Sequence, residues 1–324
     1  LGTLEAAMAV LARKGEAGAL LAAISVLARH AKGGGKPGPR ETAALRTMKS
    51  MIDKQRLLPI ANALLVGPPH QREAARQLLV LAGSAGAQAL YIAREGLTDP
   101  NGRPVFVKVF KDTGPAGWAI LSNVLPRIEV TNEADIAFVE DLLRAMPERQ
   151  DAVLGDAVSK FLAHPRLRTT ALLAIVPLWG ERARKPLLDA LEFAEEPARI
   201  VAVTELRRMR GIDDHVVSVI ERLLTMRGSA SDELRAAAAA ALGDVAAPSR
   251  ARVLALLTKG VEGKRGLVAM LRGDGGSDES VVVTESMARA LLQLDRNEGV
   301  RAIKSRVSKA DGILKQRLTA LLQS

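Results

Sequence analysis

The stretch Asp232–Ala246, DELRAAAAAALGDVA, decides how the rest of the chain is read. Its six consecutive alanines, Ala236–Ala241, are either low-complexity filler or the most regular copy of a repeated unit. A repeat makes a demand on the remaining sequence that filler does not: the flanking features must recur at a fixed interval. Periods of roughly 20–50 residues are the signature of stacked supersecondary units.

In this stretch Arg235 opens an apolar helical run and Gly243 follows near its end. The same order recurs in HPRLRTTALLAIVPLWG (Arg168, Gly180), EEPARIVAVTELRRMRG (Arg199, Gly211), HQREAARQLLVLAG (Arg72, Gly83) and NGRPVFVKVFKDTG (Arg103, Gly114). Arg40, in GPRETAALRTMKSMID, keeps the register without the glycine, and Asp135 stands where one unit has lost its arginine. The starts Arg40, Arg72, Arg103, Asp135, Arg168, Arg199 and Arg235 are separated by 32, 31, 32, 33, 31 and 36 residues. The ends are looser. Leu4 lies 36 residues before Arg40, and Val282 lies 47 after Arg235, with LRGDGGSDES inserted. One array over residues 1–324 follows, with units starting near 4, 40, 72, 103, 135, 168, 199, 235 and 282 and a capping helix at 311–322.

Each unit reads as two helices. The second helices, such as AGWAILSNVLPRI, ERARKPLLDALEF, DDHVVSVIERLL and APSRARVLALLTKG, carry Leu and Val at three- and four-residue spacing, which gives one apolar face. SVVVTES at 280–286 is the most strand-like string, but it falls where a first helix is due and is read as helix. Pro165, Pro186, Pro197 and Pro248 fall near helix starts, which tolerate proline, whereas Pro177 lies inside a helix and is expected to bend it. A two-helix unit cannot bury its apolar faces alone, and stacking buries them in a continuous core. The expected fold is all-α: a right-handed α-solenoid, or superhelix, of about nine two-helix units.

Composition agrees. The chain is 48% hydrophobic but 2% aromatic and has no cysteine. Its core is therefore expected to be built from Ala, Leu, Val and Ile. Disulfides and thiolate chemistry are excluded, which fits a reducing cytoplasm, the expected location. No run of 18 apolar residues lacks a charge, so no membrane span is expected. Arg13 and Lys14 interrupt the first apolar run, unlike a secretory signal. The start at Leu1 reads as a trimmed end, leaving room for a preceding domain. The net charge of +10 is uneven: +9 over residues 1–127, −5 over 128–162, zero over 163–248 and +6 over 249–324.

These residues resemble the HEAT repeat family, in the form common among bacterial HEAT-like repeats. Asp232, Arg235, the alanines 236–241, Leu242, Gly243 and Ala246 match the family pattern, and the Arg168 and Arg199 units match it without the Ala-Leu-Gly. Tetratricopeptide arrays have units of similar length, but their aromatic positions are missing here. The resemblance implies a scaffold or adaptor, with a protein partner along the concave face made by the second helices. It also implies that the register arginines Arg40, Arg72, Arg103, Arg168, Arg199 and Arg235 sit at the seams between units, bonded to acidic or carbonyl oxygens. The partner-binding candidates are then the second-helix cations Arg182, Arg184, Lys185, Arg222, Arg250, Arg252, Lys259, Arg301, Lys304 and Arg306, interrupted by Asp213, Asp214 and Glu221.

Other signals are weak. GGGKPGPR at 33–40 lacks the Ser/Thr of a phosphate loop, and GDGGSDES at 273–280 lacks most calcium ligands, so both are read as loops. His30, His70, His164 and His215 have no metal-ligand spacing, and no nucleophile motif occurs. No cofactor, metal or catalytic residue is expected, and the chain is read as no enzyme. The alternative is sequence-nonspecific nucleic-acid binding by the basic surface, which needs only backbone contacts because the chain has eight aromatics in all.

Overall fold

The structure, a computed structural model, describes residues 2–31, 38–93, 102–225, 230–245, 247–263 and 279–323, without the side chains of 65, 66, 102 and 103. The described residues are helical with no β-strand. In chain order the helices are α1 Gly2–Arg13, α2 Ala17–Ala31, α3 Pro39–Met51, α4 Lys54–Val66, α5 Pro69–Leu81, α6 Ser84–Ala93, α7 Gly102–Asp112, α8 Pro115–Val124, α9 Glu133–Arg144 and α10 Ala152–Ser159. They continue as α11 Pro165–Trp179, α12 Arg184–Phe193, α13 Glu196–Arg208, α14 Asp214–Thr225, α15 Asp232–Ala241, α16 Arg250–Glu262, α17 Val281–Leu294, α18 Arg296–Val307 and α19 Gly312–Gln323.

The register residues all lie in the first turn of odd-numbered helices, from Leu4 in α1 to Val282 in α17. The starts have local causes. Pro39, Pro69, Pro115 and Pro165 open helices where no backbone N–H is needed. Asp53, Asn132, Asp151, Ser231, Ser280 and Asp295 accept hydrogen bonds from free N–H groups of the first turn. SVVVTES is helical, because Ser280 caps Val281–Leu294 and Val283, Met287 and Leu291 fall on one buried face. Pro177 is two residues from the end of α11, so the hydrogen bond it removes falls in the helix's last turn.

The chain divides into two compact units, residues 1–161 and 162–324. In the second, α13 packs between α11 and α15, α15 packs on α17, and α17 on α19. The even-numbered partners form a second row: α12 touches α14, and α16 packs on α18. Within the first unit α4, α6, α8 and α10 pack in succession, as do α5, α7 and α9. The alternation is altered at the start, where α2 packs on α5 and α3 packs on α2.

The alanines of α15 are framework. Ala236, Ala238, Ala239 and Ala241 are buried, letting α13 and α17 approach from either side. Larger side chains would hold these helices apart, and alanine has the highest helix propensity. The few aromatics are used differently from expectation. Phe106, Phe110 and Phe161 are among the largest fully buried side chains, and Phe106 packs tilted against Phe110 and edge-on against Phe138, at centroid distances of 5.6 and 5.5 Å. The first unit thus has a local aromatic core, because three of the five phenylalanines fall on facing turns of α7 and α9.

Candidate binding surface

The register arginines of the second unit reach in two directions. Arg168 donates from Nε to the Leu162 carbonyl at 2.8 Å and pairs with Glu195, at the start of α13. Arg199 donates to the Leu191 carbonyl of α12 at 3.0 Å. Arg235 donates to the Leu224 carbonyl of α14 at 3.0 Å and grips both oxygens of Glu279, at 2.5 and 2.7 Å. Each side chain therefore joins the end of the preceding helix to its own, and Arg168 and Arg235 also reach the segment that opens the next pair. The seam after α13 uses an acid instead. Glu196 accepts from the Ser231 N–H at 3.1 Å, and the Ser231 hydroxyl and N–H hold its carboxyl below the usual range.

In the first unit the arginines are more loosely used. Arg72 is exposed and donates to the Gly67 carbonyl at 2.6 Å, whereas Arg40 is exposed at the start of α3. The Arg103 side chain lies outside the described residues. Asp135, in the arginine's place, instead accepts from the Thr131 hydroxyl at 3.0 Å and closes the turn before α9.

Nine of the ten second-helix cations fall into three groups, with Arg182 apart from them. Arg184 and Arg306 are tied into the framework, and Arg250, which is exposed, is anchored to a backbone carbonyl. Arg184 donates to the Gly211 carbonyl at 2.8 Å and to Asp213 at 2.5 Å, and Arg250 donates to the Leu294 carbonyl. Arg306 is buried against the backbone of Gly263. Burial pushes the Asp213 carboxyl up, but the Val216 N–H and the Arg184 charge outweigh it and leave it below the usual range.

Arg222, Arg252 and Arg301 are exposed and paired. Glu192 of α12 accepts from His215 at 2.9 Å and faces Arg222 at 4.0 Å, both on α14. Glu221 of α14 pairs with Arg252 of α16. Glu298 of α18 accepts from Thr258 of α16 at 3.3 Å and pairs with Arg301. Of the acids that interrupt the basic row in sequence, Asp213 and Glu221 thus bond to arginines of neighbouring helices, whereas Asp214 accepts from the Ser249 hydroxyl. Arg182 lies 4.8 Å above the Trp179 ring. The third group, Lys185, Lys259 and Lys304, is exposed and makes no ion pair among the described residues. At the other end of the helix that carries Lys185, Phe193 is 81% exposed.

Two residues of weight were missed in the sequence. Glu279 lies at the edge of the insertion, 44 residues from Arg235, and no local motif marks it. Glu285 is buried in α17 and held by Arg289 at 2.6 Å and Arg317 at 2.9 Å, beside a groove of about 730 Å³. Loop residues 32–37 and 273–278 lie outside the described residues, so the two weak loop motifs are not described beyond Gly38–Arg40 and Glu279–Ser280. Among the described residues no group of three His, Asp or Glu is placed to hold a metal, and no helix is long and apolar enough to cross a membrane.

No protein-family model matches the chain, and no curated protein matches it. Among solved structures it is similar to the crystal structure of an engineered protein, at 15% identity, over 97% of this chain and 86% of that one, with a TM-score of 0.37.

Proposed function

We propose that this chain is a HEAT-like repeat solenoid acting as a non-catalytic scaffold or adaptor, which holds a protein partner against its second helices. The observation that carries this reading is the division of labour among the cations. Arg168, Arg199 and Arg235 of the first helices serve the seams, Arg222 and Arg252 of the second helices pair with acids of the neighbouring helix, and Lys185, Lys259 and Lys304 stand out unpaired among the described residues. Cross-paired helices give a rigid surface, and the three lysines, with exposed Phe193, give it a basic and partly apolar character suited to an acidic protein segment.

Affinity capture from the native lysate, quantified against a Lys185→Glu/Lys259→Glu/Lys304→Glu bait, tests the function. The reading expects a defined set of proteins that the charge-reversed bait loses. Identical capture by both baits overturns it. Nucleic-acid binding is separated by titrating duplex DNA at about 50 mM salt, where phosphate contacts are strong. X-ray scattering tests the architecture. A solenoid requires a radius of gyration well above the ~20 Å of a compact chain of this length.

A further inference from the structure

The first unit contains a concavity of about 680 Å³ that the scaffold reading does not use, lined by Arg13, Lys49, Ser50, Asp53, Gln55 and Arg56 among others. It lies where the ends of α1 and α3 meet the start of α4. Its cations differ from those of the seams. Arg56 is held by the Ser50 carbonyl at 2.8 Å, and Arg13 donates along its own helix to the Ala9 carbonyl at 3.4 Å. Both anchors are neutral, so they aim the guanidinium without cancelling its charge. Lys49 is exposed, and none of the three makes an ion pair among the described residues. The one carboxylate in the lining, Asp53, accepts the Gln55 and Arg56 N–H groups at 2.9 and 3.4 Å as the cap of α4. The Ser50 hydroxyl donates to Glu5 at 2.8 Å.

Three cations around one concavity repel one another, and two carboxylates, Asp53 in the lining and Glu5 against Ser50, offset only part of that charge. A ligand with two or more negative charges relieves the repulsion. Guanidinium groups offer paired N–H donors to the oxygens of phosphate or carboxylate, while the lysine adds a mobile point charge. We propose that Arg13, Lys49 and Arg56 form a binding site for a small polyanion, a diphosphate-bearing or polycarboxylate ligand. This inference is independent of the scaffold reading, because it concerns a different unit and a different class of ligand.

Calorimetric titration of the whole chain with inorganic pyrophosphate, and separately with citrate, tests it at about 0.1 M salt, where charges beyond about 10 Å are screened. One saturable site per chain is expected for at least one probe. Arg13→Ala and Lys49→Ala are each expected to weaken it at least fivefold. Arg46→Ala, which removes an exposed charge outside the concavity, is expected to leave it within twofold. Saturation by pyrophosphate alone assigns phosphate chemistry, and saturation by citrate as well assigns oxyanions generally. No saturable binding of either probe overturns the site, as does equal weakening by Arg46→Ala. Circular dichroism of each variant separates lost binding from lost folding.

Discussion

Gly243 lies so close to Gln293 that a methyl group on its Cα would sit 2.7 Å from the Gln293 Oε1 and 3.3 Å from the Cα of Ala290. The glycine after the alanine run is therefore set by the approach of α17, as the alanines before it are. Gly243→Ala is expected to destabilise the second unit by about 1–3 kcal/mol, the range for overpacking. Adding Gln293→Ala should recover part of the loss, since the closest clash is with a flexible side chain. Urea unfolding followed by Trp179 fluorescence in a Trp118→Phe background reads this unit. An unchanged midpoint for Gly243→Ala would show that α15 and α17 are not in close contact.

The acid response is set by carboxyl groups held low. Hydrogen bonds from Arg76 and Gln77 lower Glu73 from 4.5 to about 2, and Glu196 and Asp213 are also lowered. A carboxyl lowered by folding stabilises the native state above its unfolded value and loses that contribution as pH falls through its folded value. The part due to Glu73 is thus complete above about 4.5 and fades toward about 2. Glu73→Gln should flatten the acid unfolding of the first unit over that window, read by Trp118 in a Trp179→Phe background. Because Glu73 and Arg76 are solvated, the difference should shrink in high salt. A Glu73→Gln difference confined to pH above 5 would contradict the assignment.

Lys185→Glu, Lys259→Glu and Lys304→Glu should each move the unfolding free energy by no more than about 0.5 kcal/mol, as exposed substitutions without partners do. Arg184→Ala, by contrast, frees the Gly211 carbonyl and Asp213, and should cost about 1–2 kcal/mol. Denaturant melts of the four variants check the contrast. Comparable losses for Lys259→Glu and Arg184→Ala would erase the distinction between open face and framework.

The helices were legible in the sequence because Arg199, Arg235 and their counterparts mark first turns, and the apolar spacing between them marks a single buried face. The strand-like SVVVTES was placed correctly by register, against the β-propensity of its valines. Three things were not legible. Glu279 and Glu285 act across 44 and 32 residues, and such pairs leave no local pattern. Arg184, Arg250 and Arg306 look like Lys185 or Lys259 in a helix-face reading, since only the fold brings a carbonyl or a buried wall beside them. Finally, Gly86 and Gly117 lie seven residues after Leu79 and Phe110, and a methyl at either would strike that residue's carbonyl oxygen, at 2.0 and 2.6 Å. A seven-residue spacing between a glycine and an apolar residue is too common to mark a close helix contact by itself.

In the second unit the register arginines Arg168, Arg199 and Arg235 hold the framework while Arg222, Arg252 and Arg301 lie on its surface, and Arg235 and Arg252 put this division to the test. The Arg235 and Glu279 side chains are 6% and 11% exposed, whereas Arg252, paired with Glu221, is 53% exposed. Removing one partner of a buried pair costs roughly 3–5 kcal/mol, and an exposed pair contributes about 1 or less. The decisive measurement is the unfolding free energy of Arg235→Ala beside Arg252→Ala, read by Trp179 fluorescence in the Trp118→Phe background. The account expects a loss of about 3 kcal/mol for Arg235→Ala and no more than about 1 for Arg252→Ala. Equal losses, or a larger one for Arg252→Ala, would contradict it.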